Sequence, residues 1–147
     1  RLPCLKRCTV SGVNKPRVLV SAGLIRRSDD DRFLVSRRGA NTHLAHAWEF
    51  PGGKVEPGEA PCETVQREIF EELGVEVVVG DIYAVGHHDY ETKEVILMVY
   101  DVLLVKGQPR CLEVADFRWV TPNELISMDL PPADKPVIDR LKREFDE

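Results

Sequence analysis

Residues 53–75 read GKVEPGEAPCETVQREIFEELGV, and the fold turns on this stretch. A loop containing glycine runs straight into a segment, about Pro61 to Leu73, in which Val65, Ile69 and Leu73 recur at i, i+4 and i+8. That recurrence is the period of a helix with one packed face. Residues three and four apart on a helix share a face, so Glu68, Glu71 and Glu72 project together on the other side. Three carboxylates held that close repel and raise one another's pKa. A cation removes the conflict. Hard divalent ions take oxygen ligands, and Mg²⁺ is usually bound by one or two carboxylates plus substrate phosphates, with Mn²⁺ suited to similar ligands. The alternative is a solvated acidic helix face. Arg67 either pairs with Glu63, four residues earlier, or braces a carboxylate from behind; both arrangements suit the spacing.

The glycines carry their own expectations. Gly52 and Gly53 follow Pro51 directly, and such a pair permits positive φ and a close approach of main-chain atoms to a ligand or metal. Gly58 offers a tight turn, and Gly74 stands where a helix commonly ends in a left-handed residue.

The rest of the chain fits a small enzyme domain. At 147 residues it has room for one core, and 43% hydrophobic with 31% charged residues is a globular composition. No apolar run approaches the roughly 20 residues of a membrane span. The first residues, Arg1 to Arg17, are too basic and too broken by Pro3 and Pro16 to read as a secretory signal. A soluble, cytoplasmic protein is expected. The net charge of −5 argues against broad attraction to nucleic acid, so a polyphosphate would arrive as a metal complex or meet a local basic patch. Cys4, Cys8, Cys62 and Cys111 form no paired C-x-x-C motif, and free thiols in a reducing compartment are expected. Cys4 and Cys8 could pair if oxidised.

Residues 1–16 read as an extension and 17–147 as the domain. Val18 to Ile25 and Phe33 to Ser36, joined by a polar turn at Ser28 to Arg32, form a hairpin. Arg37 to Ala47 is a loop, and Trp48 to Phe50 a short extended piece that feeds the glycine bend. Glu76 to His88 alternates as a strand. Glu94 to Val105 is more continuously apolar, which predicts a central strand covered on both faces. Phe117 to Val120 is a last strand, and Thr121 can cap a helical turn with Pro122 first and Glu124 third. After the rigid Pro131-Pro132 connector, Asp134 to Phe145 is a helix with Val137, Ile138, Leu141 and Phe145 on one side. Strands outnumber helices and mix with them. The fold class is therefore α/β, a sandwich with a mixed sheet between helices.

Gly53, Glu59, Arg67, Glu68, Glu71, Glu72 and Gly74 stand in the spacing G-x5-E-x7-R-E-x-x-E-E-x-G followed by an apolar residue. This resembles the box that defines the Nudix hydrolases, and no box position departs from it. Arg37-Arg38, His43, the run Trp48 to Glu56 and the closing Pro131 to Ile138 are similar to the MutT-like subgroup, over roughly residues 17–145. The resemblance implies an α/β/α sandwich and Mg²⁺-dependent hydrolysis of an oxidised or otherwise modified nucleoside triphosphate to the monophosphate and pyrophosphate. It implies a role in cleaning the nucleotide pool. Glu68 and Glu72, with the main-chain carbonyl of Gly52, would ligate the metal, and Glu71 would ligate a metal or hold its water. Glu113 would be a general base, Arg38 and His43 would contact phosphates or sugar, and Glu49 with Phe50 would line the nucleotide pocket. Phe50 can serve core and pocket at once.

Asp134 departs from the subgroup, which has asparagine there. An asparagine both donates and accepts, whereas an ionised aspartate only accepts. Asp134 then suits a base edge rich in N–H groups, or it is only the N-cap of the last helix. CTP or 5-methyl-dCTP, a dinucleoside polyphosphate, ADP-ribose and an RNA 5′ end remain alternative substrates, with Tyr90 a faint pointer to dinucleotides. A catalytically silent nucleotide-recognition domain is a further alternative. The resemblance implies a nucleoside triphosphate as partner; the net charge and the lack of a long apolar run lead to the expectation of no stable nucleic-acid or membrane binding, and a monomer or homodimer is expected.

Overall fold

Strands β1 (Arg17–Arg26), β2 (Phe33–Arg37), β3 (Trp48–Glu49) and β4 (Gly52–Lys54) precede helix α1 (Pro61–Leu73). Strands β5 (Glu76–Asp89), β6 (Glu94–Lys106) and β7 (Asp116–Val120) follow, then helix α2 (Pro122–Ser127), a 3₁₀ turn (Pro132–Asp134) and helix α3 (Lys135–Phe145). The computed structural model describes residues 15–40 and 45–145.

The sheet is mixed, in the order β3-β2-β1-β6-β5, with β4 paired to β1 and β7 to β2. β1 is its spine. One edge lies parallel to β6 from Arg17↔Glu94 to Arg26↔Leu103. The other edge is divided: β2 takes the end at Ile25 and Arg26, while β4 takes Val20, Ser21 and Ala22. The glycine bend is thus part of the sheet and not a loop hung from it.

Two apolar layers hold this arrangement. Alternation along a strand sends successive side chains to opposite faces. On β2, Phe33 and Val35 enter the layer under α2 and α3, with Leu125, Val137 and Leu141, while Leu34 enters the layer under α1. There Val65, Ile69 and Leu73 are fully buried, each worth about 1.5–3 kcal/mol on the usual transfer scale. Gly23 lets the helix come this close, since a Cβ there would stand 2.9 Å from Val102 and 3.0 Å from Ile69.

β6 is central as expected, but its two faces are covered along different halves. Val95, Leu97 and Val99 pack in the α3 layer, and Tyr100, Val102 and Leu104 in the α1 layer. Leu103 and Val105 are exposed, because α3 does not extend over that end of the sheet. Register shifts in β5 around Val79, Ile82 and Ala84 are bulges, which re-aim side chains. They leave Val77 and Val79 facing α1 and bring Ala84 and Gly86 to the opposite layer.

That change matters for the site. The carbonyl of Ala133 occupies the space where a side chain at Gly86 would begin, so the 3₁₀ turn lies directly on the strand. The turn in turn carries Asp134, which is the last residue of the 3₁₀ element and not the start of α3. The expected cap at Thr121 is present: Thr121 Oγ1 accepts from Glu124 N–H at 3.2 Å, and the Glu124 carboxylate accepts from Thr121 N–H at 2.9 Å. Gly58 and Gly74 have φ of 81° and 71°, as their turn and helix-end positions require. Residues 1–14 and His43 lie outside the described residues, so the extension, its cysteines and that histidine are not placed.

Candidate active site

β4 is fastened on both sides. Gly23 N–H donates to the Pro51 carbonyl at 2.9 Å, and Val55 N–H to the Leu19 carbonyl at 3.0 Å. Gly52 and Gly53 are not in the left-handed region; close approach is what demands glycine here. A Cβ on Gly52 would collide with the Ser21 carbonyl and Ala22, and one on Gly53 would collide with the Glu68 carboxylate. The first helix carboxylate therefore rests on the main chain of the bend. Glu72, one turn on, is close enough to the Gly52 backbone for that backbone to favour its ionised form.

Arg67 braces this row from behind, the second of the two arrangements its spacing allowed. Its Nε donates to Glu59 Oε2 at 2.7 Å, while Nη1 reaches Glu68 at 2.8 Å and Glu71 at 3.0 Å. Glu63 is used elsewhere, accepting from Ala60 N–H at 2.8 Å at the helix start. The guanidinium, with the Thr64 hydroxyl, holds the Glu59 carboxyl at about 2, well below the usual carboxylate range. Glu71 sits on the outer, Arg67 side of the row, with its side chain 38% exposed.

Glu68 and Glu72 feel the opposite pressure. Burial pushes the Glu72 carboxyl up to about 9, helped by the charges of Glu68 and Glu49 and opposed by Gly52 and Arg38. Burial also raises Glu68; Arg67 pulls it down, and the charges of Glu71 and Glu113 raise it further. Glu113 lies in the β6–β7 loop close enough to act on Glu68, although it is itself exposed. Among the described residues no three histidine, cysteine, aspartate or glutamate side chains already form a ligand cluster. The donor chemistry nevertheless fits a hard cation. Both carboxylates resist ionisation despite Arg67 at Glu68 and Arg38 near Glu72, and Mg²⁺-like ions bind such carboxylates and complete their shell with water and phosphate oxygens.

A pocket opens beside this row. Its apolar wall is Val20, Ala22, Val95 and Leu97, and Phe50, Tyr90, Arg38, Glu49 and Asp134 line the rest. Phe50 is both core and wall, being 3% exposed and packed in the α3 layer. Arg38 Nε donates to Glu49 at 3.2 Å, yet burial still lifts the Glu49 carboxyl to about 7. Asp134 is more extreme. Burial, then the charge of Glu49, pushes it to about 8 despite Arg38, and its side chain faces the pocket.

Arg38, Glu49, Phe50, Gly52 and Asp134 thus meet in one cavity, while Glu68, Glu71, Glu72 and Glu113 do not line it; Glu68 adjoins it through Gly53. Lys54 stood in the run Trp48 to Glu56 with no role attached, and Lys93 and the apolar wall of β1 carried no mark in the sequence; all line the cavity. A turn residue such as Lys93 follows no period, so no pattern marks it.

An α/β sandwich thus sets a carboxylate row and a glycine bend beside an open pocket, an arrangement that suits metal-assisted hydrolysis of a phosphorylated ligand. The NUDIX domain family matches residues 17–141, and the chain belongs to the Nudix hydrolases. It is similar to the 8-oxo-dGTP diphosphatase of Escherichia coli (strain K12), 33% identical over 86% of this chain and 98% of that protein. It is also similar to the CTP pyrophosphohydrolase of the same organism, at 34% over 82% and 87%. The crystal structure of a MutT protein from Methanosarcina mazei Go1 superposes with a TM-score of 0.80 at 32% identity, covering 92% of this chain and all of that one. The family generally needs a divalent metal ion. Among the described residues no helix is long and apolar enough to cross a membrane.

Proposed function

We propose that the chain hydrolyses a nucleoside triphosphate to the monophosphate and pyrophosphate with Mg²⁺, Mn²⁺ being a possible substitute, and serves nucleotide-pool sanitation. The supporting observation is adjacency: the Glu68 carboxylate lies against Gly53 of the same glycine bend that lines the pocket of Phe50, Tyr90 and Asp134. A base in the pocket lays its phosphates towards the carboxylate row.

The metal would be held by Glu68, Glu72 and the Gly52 carbonyl, with Glu71 holding a metal or its water. When bound it neutralises phosphate oxygens and acidifies a water. Glu113 takes the proton from the attacking water. The water oxygen ends on one phosphorus of the α–β anhydride, and that P–O bond breaks to release pyrophosphate. Phe50 and Tyr90 flank the base. Arg38 anchors Glu49 and, with His43, meets sugar or phosphate.

Asp134 reads the base edge. Because burial lets it keep its proton near neutrality, it offers a donor as well as an acceptor, as an amide does. That favours an oxidised purine such as 8-oxoguanine. Cytosine nucleotides are the second reading, favoured by a similar identity to the CTP pyrophosphohydrolase over a somewhat shorter match. Pyrophosphate release from 8-oxo-dGTP, dGTP, CTP and 5-methyl-dCTP, compared as kcat/KM, decides between them. Near-full turnover by Glu72→Gln would overturn the mechanism, and nucleotide binding without product would indicate a silent domain.

The same reading places the domain from residue 17 onward, in the cytoplasm, as a monomer or homodimer. Free, exposed Cys62 and Cys111 suit a reducing compartment.

A further inference from the structure

Helix α1 ends in a way that its own sequence does not favour. Glu71 and Glu72 stand in its last turn, and no basic residue accompanies them there. The C-terminal end of a helix is the negative pole of its dipole, where acids are unfavourable and a cation is favourable. The cation comes from another element. Gly74 closes the helix at φ 71°, and a Cβ on it would stand 2.8 Å from Arg110 Nη2, 3.3 Å from Arg110 Nε and 3.1 Å from Leu112 Cδ1. The Arg110 guanidinium therefore lies on the end of α1. Among the described residues it has no carboxylate partner that would hold it elsewhere.

The segment that carries Arg110, residues 107–115, joins β6 to β7 without helix or strand. Its two ends are fixed. At one, a Cβ on Gly107 would stand 3.4 Å from the Gly74 carbonyl; at the other, Val114 packs in the α1 layer and Ala115 N–H donates to the Arg37 carbonyl at 3.0 Å. Between these ends the N–H groups of Arg110, Leu112 and Glu113 close the last carbonyls of α1, yet residues 110–113 are all exposed. Hydrogen bonds in water with few apolar contacts around them open locally at small cost. A charge that favours the helix end opposes that opening. Glu113 stands three residues beyond Arg110, its N–H on the Glu72 carbonyl, so its carboxylate starts at the turn of α1 that follows Glu68. Proton transfer requires hydrogen-bond reach, and a displacement of about 1 Å is costly. A loop that lifts from α1 takes Glu113 out of that reach.

We propose that Arg110 is a positioning residue for the hydrolysis: its charge, seated on the C-terminal end of α1, keeps the β6–β7 loop closed on the helix and Glu113 at the carboxylate row. This rests on the reading of the chain as a nucleoside triphosphate pyrophosphohydrolase in which Glu113 takes a proton. Arg110 lines no part of the nucleotide cavity and acts only through the loop.

A double-mutant cycle separates that role from a general one. Arg110→Ala lowers kcat about fivefold or more and changes KM less, whereas Arg110→Lys, which keeps the charge, retains most of the rate. In a Glu113→Gln background the same Arg110→Ala substitution changes kcat little, because the group it positions is already gone. An undiminished further loss in that background overturns the proposal, and so does wild-type kcat in Arg110→Ala alone. Amide hydrogen exchange supplies a readout that needs no turnover. Arg110→Ala quickens exchange at Leu112 and Glu113 about fivefold or more and leaves Val65 and Ile69, inside α1, unchanged. Loop amides as protected as in wild type overturn the proposal. Faster loop exchange in a chain that hydrolyses no nucleotide sustains the hold of Arg110 on the loop and removes the enzymatic reading instead.

Discussion

The backbone N–H of Glu113 donates to the carbonyl of Glu72 at 3.2 Å, and Leu112 N–H reaches the same oxygen at 3.0 Å. Arg110 N–H takes the Leu73 carbonyl at 2.8 Å. The last carbonyls of a helix have no partners within it, and here the β6–β7 loop satisfies them. The loop that finishes α1 is therefore the loop that delivers Glu113 to the carboxylate row. Glu113→Gln keeps those backbone bonds and removes the acid. Its kcat is expected to fall about 100-fold or more, the usual worth of a general base, with an unchanged Tm. Undiminished turnover would assign the proton to another group.

The two glycines of the bend separate structure from chemistry. Gly53→Ala places its methyl against the end of the Glu68 side chain, which can swing away. The fold is expected to survive while the Mg²⁺ concentration needed for half-maximal activity rises. Gly52→Ala instead meets the Ser21 carbonyl, which is backbone. A loss of about 1–3 kcal/mol is expected, read from urea unfolding. Matching stabilities for the two variants would contradict this division.

Gly86 acts on the pocket from a distance. Any side chain there displaces the Ala133 carbonyl and with it the neighbouring Asp134. Gly86→Ala is expected to alter the ratio of kcat/KM between purine and cytosine triphosphates more than it alters kcat. Gly80→Ala on the same strand, whose nearest obstacle is the Asp101 carbonyl at 3.2 Å, serves as the control and should leave that ratio alone. Equal effects at both positions would mean that Asp134 is not held by this contact.

The contrast between helix and pocket explains what was legible beforehand. Val65, Ile69 and Leu73 announce α1 because a 3.6-residue period is local, and Thr121, Pro122 and Glu124 announce α2 because a cap is local. Whether Arg67 pairs with Glu63 or braces a carboxylate from behind was open, and Glu59 was not foreseen as its partner because α1 begins between them and its geometry sets the distance. Lys93 was invisible, since it reaches the cavity only across a parallel β1/β6 register that no spacing encodes. Asp134 was read as an ionised acceptor because an isolated aspartate is one. Only its burial against Glu49 changes that.

Asp134 supplies a pH test with a definite sign. Its carboxyl moves from an ordinary 3.8 to about 8 in the fold, chiefly through burial. Between those values the native protein holds a proton that the unfolded chain releases, so this group's contribution is full below 3.8 and lost as pH rises through about 8. Asparagine has no such charge to bury. Asp134→Asn is therefore expected to be more stable than wild type at about pH 9, with the advantage shrinking as pH falls towards about 4. Glu49 titrates in both proteins and its charge acts on Asp134, so the difference between the two curves reports position 134 together with that coupling. Urea unfolding across that range measures it. Activity should follow the same logic: wild type loses its preferred base above about pH 8 as the donor disappears, while the asparagine variant keeps it. Parallel stability curves, together with a base preference independent of pH in both proteins, would show that Asp134 ionises freely and reads the base as an acceptor alone.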